Sequence, residues 1–210
     1  PDAPEHEDHR PPTRVSSGDL LDPWHPTLNC PPLPTAFFSA LLMSMADPVI
    51  RPATPADFPA IIELYNYYIA HTPITFDIEP YTLEKRAPWF AQFADEGRHR
   101  LLVMTVGKAL VGYAASMPYR PKAAYITTVE TSIYLRHDLH GRGYGPMLYQ
   151  ALFDAIKGED IHRAHAGITL PNPQSIKLHE RFGFETYGVQ NEVGRKFGKY
   201  WDVVWMQKRL

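Results

Sequence analysis

The run His140-Gly-Arg-Gly-Tyr-Gly-Pro146 constrains this chain more than any other stretch. It follows a β-type run, Tyr125 to Leu135, and opens an apolar helical run, Met147 to Ile156. A glycine-rich turn from a strand into a helix points several backbone N–H groups in one direction. With the positive end of the helix dipole they form an anion site, most often for phosphate. The glycine spacing removes alternatives. In a dinucleotide fingerprint the last glycine would fall on Pro146, counted from Gly141, or on Leu148, counted from Gly143. No Gly-Lys-Ser/Thr closes the turn as in a P-loop, and a kinase glycine loop joins two strands rather than entering a helix. What remains is x-x-Gly-x-Gly at a helix start, with Pro146 at a first-turn position that tolerates a missing N–H. An ordinary strand-to-helix turn is the competing reading.

Composition narrows the function classes. The chain has 210 residues, 44% hydrophobic, and a net charge of −2, enough for one compact domain with a sizeable core. Without a basic excess there is no electrostatic case for nucleic acid or an anionic membrane. No apolar run reaches transmembrane length. The single Cys30 excludes an intrachain disulfide, and a reducing cytoplasm is the expected location. His162-x-x-His165 and His137-x-x-His140 have pair spacing but lack accompanying thiolates or acids, so no metal site is expected.

Residues 1–46 differ from the rest. Pro11-Pro12, Pro23, Pro26, Pro31-Pro32 and Pro34 remove donors and restrict their predecessors. This stretch is expected to be disordered or loosely docked, and a translation start assigned too far upstream would account for it, since Met43 and Met45 sit just before the domain over 47–210. There the pattern reads as a short strand at Ile50 and a helix started by Thr54-Pro55-Ala56-Asp57, with Ile61, Ile62, Leu64, Tyr65 and Tyr68 at helical spacing. A second helix starts near Thr82 and runs through Trp89 and Phe93. A hairpin turns at Gly107-Lys108, and the long strand ends at Leu135. Beyond the glycine loop come a helix, a strand over Ala164–Leu170, a helix over Ser175–Arg181, and a last strand in which Val203, Trp205 and Gln207 alternate with Val204 and Met206. This order suggests a mixed α/β sheet with helices on both faces.

The glycine turn resembles the pyrophosphate loop of the GCN5-related N-acetyltransferases, Gln/Arg-x-x-Gly-x-Gly/Ala, here His140-x-x-Gly143-x-Gly145. Asn172-Pro-Gln-Ser175-Ile-Lys-Leu178-His179-Glu-Arg-Phe-Gly183-Phe184 resembles a second block of that superfamily. Thr128 to Leu135, Arg120-Pro-Lys122-Ala-Ala-Tyr125, Leu178-His179-Glu180 and Tyr200-Trp201-Asp202-Val203 are similar to one branch, the phosphinothricin and methionine sulfoximine/sulfone acetyltransferases. The resemblance runs from about Ile50 to Leu210. It implies the acyl-CoA N-acyltransferase fold, a central mixed, mostly antiparallel sheet with helices on both faces, and acetyl-CoA as cofactor.

It also implies roles. Glu130, an acid in mid-strand that is costly there unless paired, falls at the position of the general base; a surface acid or salt-bridge partner is the alternative. The backbone of Ile133, Tyr134 and Leu135 would pair with the pantetheine arm. The N–H groups of Gly141, Arg142, Gly143, Tyr144 and Gly145 would hold the pyrophosphate, with charge from Arg142. His140 replaces the usual Gln or Arg, and a neutral imidazole is a weaker phosphate partner. Asn172 and Ser175 would contact the cofactor. His179 holds the place of a thiolate-protonating Tyr, occupied by His in this branch; a packed helix histidine is the alternative. On the acceptor side Arg120 or Lys122 would meet a carboxylate, with Phe76 and Trp201 bordering the pocket. The expected reaction is acetyl transfer to the α-amine of an L-amino acid analogue by direct attack in a ternary complex, since no thiol besides Cys30 could carry the acyl group. The branch is commonly homodimeric. Another amine, such as a protein N-terminus, a polyamine or an antibiotic, and a non-catalytic acyl-CoA sensor are the alternatives.

Overall fold

The computed structural model describes residues 46–139 and 141–210. The expectations for residues 1–45 and for His140 lie outside the described residues. Strand β1 (Pro48–Pro52) leads through a 3-10 turn (Pro55–Asp57) into α1 (Phe58–His71) and α2 (Leu83–Phe90). The antiparallel strands β2 (Leu101–Val106), β3 (Ala109–Pro118) and β4 (Thr128–Leu135) follow, then α3 (Tyr144–Ala155), β5 (Arg163–Thr169), α4 (Pro173–Arg181) and the hairpin β6 (Glu185–Lys196) and β7 (Lys199–Arg209). The seven strands form one sheet in the order β1-β2-β3-β4-β5-β7-β6. Every pairing is antiparallel except β4 with β5. Among the described residues no helix is long and apolar enough to cross a membrane.

Three boundaries differ from the sequence reading. The strand expected from Tyr125 starts at Thr128, because Ala123–Tyr125 closes a 3-10 turn after Pro121 through Tyr125 N–H to Lys122 C=O, 3.0 Å. The first helix is preceded by a separate tight turn. There the Asp57 carboxylate accepts from the Thr54 N–H and pairs twice with Arg51, at 2.7 and 2.8 Å. The second helix stops at Phe90, where Gln92 and Phe93 bond the carbonyls three residues back.

The period-2 alternation of the strands builds two cores. On one face Ala114, Val129, Ala166, Ile168 and Met206 pack against Leu148, Tyr149, Leu152 and Phe153 of α3. On the other, Leu101, Val103, Tyr113 and Ala115 pack against Ile61, Tyr65, Tyr68 and Ile69 of α1. Ala114 and Ala115, adjacent in sequence, therefore belong to different cores.

The sheet opens at one place. The β4–β5 ladder runs from Thr128↔Arg163 to Glu130↔His165 and then ends. Beyond it β4 stays paired to β3 through Leu135, and β5 stays paired to β7 through Thr169. The result is a slot opening toward the carboxyl ends of the two parallel strands, the end where α/β sheets bind ligands. Thr131 pins its apex, 2.7 Å from the Tyr149 hydroxyl and donating to His165 C=O at 3.2 Å.

Candidate active site

The slot has two kinds of wall. One is the free edge of β4. Arg136 N–H donates to Val111 C=O at 2.8 Å. By alternation along the antiparallel ladder, Tyr134, Ser132 and Glu130 then spend their backbone groups on β3, while Leu135, Ile133 and Thr131 point theirs into the slot. The Leu135 carbonyl accepts from the Tyr68 hydroxyl at 2.5 Å. Ile133, through both backbone groups, and Leu135, through its N–H, are left able to pair with an extended ligand. Tyr134 differs from the sequence expectation: its backbone is used by β3, and its ring lies on the opposite face beside Tyr65, Tyr68 and Tyr113.

The amino end of α3 is the second element. Gly143 takes the N-cap position at φ +78° with no side-chain cap, so among the described residues the first-turn N–H groups have no capping side chain. The left-handed backbone costs other residues about 1–2 kcal/mol, which is why glycine belongs there. Gly145 is buried, and a β-carbon on it would stand 3.5 Å from Leu135 and 3.7 Å from Leu178, so this end of the helix is seated between β4 and α4. Arg142 is exposed beside it.

The slot continues into a cavity of about 410 Å³ on the α1–α2 face. Glu130, Ile133, Tyr134, Phe76, Asn172, Ser175 and His179 all line it. Burial pushes the Glu130 carboxyl above the ordinary glutamate range, and the charge of Arg120 draws it partly back. Among the described residues no donor reaches this carboxylate, which suits a group that must accept a proton.

His179 is 2% exposed, wedged against Tyr149 and Phe184. Its Nδ1 lies 2.8 Å from the Ser175 carbonyl, so Nδ1 carries the hydrogen and Nε2 is a bare acceptor. Nε2 is buried and has no partner among the described residues. Burial lowers the imidazole's pKa and outweighs the Ser175 carbonyl. The ring is therefore neutral, and Nε2 can deliver a proton only after taking one. Asn172 caps α4 by accepting from Ser175 N–H at 3.1 Å, and among the described residues its amide N–H₂ has no acceptor at the cavity wall.

The predicted acceptor-side residues are dispersed. Phe76 forms part of the wall and packs on Gly194 of β6. Arg120 is exposed, stacked 5.0 Å from the Tyr119 ring, near enough to act on Glu130 but outside the cavity lining. Lys122 sits on an exposed turn and lines nothing. Trp201 is not a wall residue either: its indole N–H donates to Lys196 C=O at 2.9 Å, and Trp205, packed over Gly167, takes that place. Arg86, Trp89 and Tyr65 also line the cavity and were missed. Arg86 and Trp89 stand at i and i+3 of one helix, a spacing that signals a shared face. The hairpin fixes the loop carrying Phe76, since buried Lys196 donates to Thr75 C=O at 2.8 Å. Among the described residues no group of three or more His, Cys, Asp or Glu side chains is placed to hold a metal.

The family model for an acetyltransferase (GNAT) domain matches residues 50–205. A phosphinothricin N-acetyltransferase of Streptomyces coelicolor is 49% identical over 167 residues, 79% of this chain and 98% of the relative. An L-methionine sulfoximine/L-methionine sulfone acetyltransferase of Pseudomonas aeruginosa is 37% identical over 161 residues, 77% of this chain and 94% of the relative. Among solved structures, a GNAT superfamily phosphinothricin acetyltransferase from Sinorhizobium meliloti in complex with AcCoA superimposes with a TM-score of 0.73 at 30% identity, over 78% of this chain and 88% of that one.

Proposed function

This chain belongs to the GNAT acetyltransferase family and is an acetyl-CoA-dependent N-acetyltransferase, and from that premise we propose that its acceptor is the α-amine of a small L-amino acid analogue: phosphinothricin, methionine sulfoximine or methionine sulfone. The observation that carries this reading is the slot between β4 and β5. It joins an uncapped helix terminus and a free strand edge on one side to a cavity holding a raised carboxyl on the other. These features fit acetyl-CoA: amides of Gly141 to Gly145 and Arg142 for the pyrophosphate, Ile133 and Leu135 for the arm, Asn172 and Ser175 near its end. When bound, it supplies an acetyl thioester open to attack by an amine.

The chain's own groups would then act in turn. Glu130 takes a proton from the acceptor ammonium, directly or through water, and its raised pKa makes it the better base. Direct attack within the ternary complex follows. His179 Nε2, an acceptor at rest, takes the second proton lost by nitrogen and passes it to the departing sulfur. Arg120 at the rim is the reading for the α-carboxylate partner, with Lys122 behind it and Phe76 as the wall. The proposal includes a cytoplasmic homodimer. Among the described residues β6 is an edge strand, with Val189, Val193, Phe197 and Tyr200 exposed, which supports a second copy there.

Thiol release from acetyl-CoA with each of the three acceptors tests the reading. Saturable turnover well above acceptor-free hydrolysis is expected; binding of acetyl-CoA without turnover on any of them would reject the acceptor class.

A further inference from the structure

Arg86 is the sole lysine or arginine among the described residues lining the cavity. Its guanidinium carbon lies 4.5 Å from the Tyr65 ring, 4.6 Å from Tyr81 and 4.2 Å from Trp89. Stacking on rings uses the faces of the planar group and leaves its in-plane N–H donors available. Among the described residues none of those donors has an acceptor within hydrogen-bond distance. The acid beside these rings, Asp77, is committed elsewhere: it accepts from the Tyr65 hydroxyl at 2.5 Å and from Tyr81 at 3.3 Å. The aromatic frame therefore holds a half-buried cation in place and gives it no counter-ion.

The position of this cation is specific. Its charge acts on the hydroxyls of Tyr113 and Tyr134, whereas Glu130 feels Arg120 instead. Arg86 and Glu130 thus line the same cavity as two separate polar points.

We infer that Arg86 recognises an anionic group at the far end of the acceptor side chain. The cavity then favours acceptors with two anions, an α-carboxylate toward Arg120 and a phosphinate or carboxylate terminus at Arg86, over isosteres with a neutral terminus. This rests on the acetyl-transfer reading above and goes further by assigning the determinant of choice within the acceptor class. The competing role is a stacking clamp that supports Tyr65 and Trp89 and touches no substrate.

The test compares L-phosphinothricin, whose side chain ends in a phosphinate anion, with L-methionine sulfone, whose side chain is polar and neutral. Steady-state kinetics are measured on the wild type, Arg86→Gln and Arg86→Lys. In Arg86→Gln, kcat/KM for phosphinothricin should fall about thirtyfold or more, the loss expected for a charged hydrogen bond. For methionine sulfone it should fall by no more than about fivefold, on the scale of lost stacking. Arg86→Lys should recover part of the phosphinothricin loss. Equal losses on both acceptors, or none on either, would overturn the assignment. Calorimetric titration of phosphinothricin into the CoA-loaded protein reads the same contact without turnover. Binding that Arg86→Gln abolishes, in a wild type that does not acetylate the compound, would reject the transfer reading and keep the anion site. No binding to the wild type would reject the anion site itself.

Discussion

Replacing Gly194 by alanine tests how the acceptor wall is built. A β-carbon at Gly194 would lie 2.5 Å from Cδ2 and Cζ of the Phe76 ring and nearer still to Cε2. Carbon atoms rest about 3.5–4.0 Å apart, so the ring must retreat by about 1 Å. Its neighbours limit that retreat, because Lys196 holds the preceding residue through Thr75 C=O. Overpacking of this kind costs about 1–3 kcal/mol. Gly194 does not have a left-handed backbone, so alanine regains about 0.4–1 kcal/mol by restricting the unfolded chain. The net loss is about 1–2 kcal/mol, or roughly 3–6 °C in Tm for a domain of this size. Because Phe76 faces the cavity, the acceptor KM should rise severalfold while the acetyl-CoA KM stays within about twofold, a loss of uniform binding confined to one substrate. Differential scanning calorimetry and two-substrate kinetics measure both effects. Phe76→Ala supplies the control: in that background Gly194→Ala should cost nothing. An equal cost with and without the ring would refute the reasoning.

Glu130→Gln should lower kcat by about 10²–10⁴-fold with acetyl-CoA affinity intact, by steady-state kinetics and equilibrium binding. Burial raises the folded pKa of Glu130, so its charge costs stability above the unfolded-chain value of about 4.3 and nothing well below it. Glu130→Gln should therefore melt higher than the wild type at neutral pH, and the gain should vanish in acid. The acid limb of kcat/KM should lie above the ordinary glutamate range, and Arg120→Ala should move it further up by removing the charge that lowers it; a limb that stays put would remove Arg120 from the site. Gly143→Ala, strained at φ +78°, should raise the acetyl-CoA KM about tenfold for a disturbance of about 1.4 kcal/mol, and leave the acceptor KM alone.

The proposed donor half rests on local segments. The glycine turn reads as an anion site from its own residues, whereas the roles of Asn172, Ser175 and His179 come from the family resemblance; spacing shows only that the segment from Asn172 to His179 is compact. Ile133 and Leu135 were legible only in part, since which β4 residues between 133 and 135 turn their backbone to the slot depends on the register with β3, and the sequence reading named all three without distinguishing Tyr134, whose backbone pairs with β3. The acceptor half comes together across the chain, from α2, the loop after α1, β5 and β7. Trp205 reaches the cavity through its pairing with Gly167, whereas Trp201, four residues earlier, lies beyond an irregularity in the β6–β7 ladder and turns to Lys196. Arg120 and Lys122 are the cations just before β4 in the sequence, whereas Arg86 sits on a helix remote from it along the chain and is brought to the cavity only by the fold. The two-core sheet followed from the order of elements, but the slot did not, since nothing in residues 131–135 marks where a ladder ends.

The bond from Lys196 to Thr75 joins residues 121 apart in the chain, and Gly194 meets Phe76 across a similar span. The acceptor wall is thus an assembled surface rather than a local one. A change confined to the β6–β7 hairpin is expected to alter which amine is accepted while the glycine turn, β4 and α4, which lie on other segments, keep their geometry.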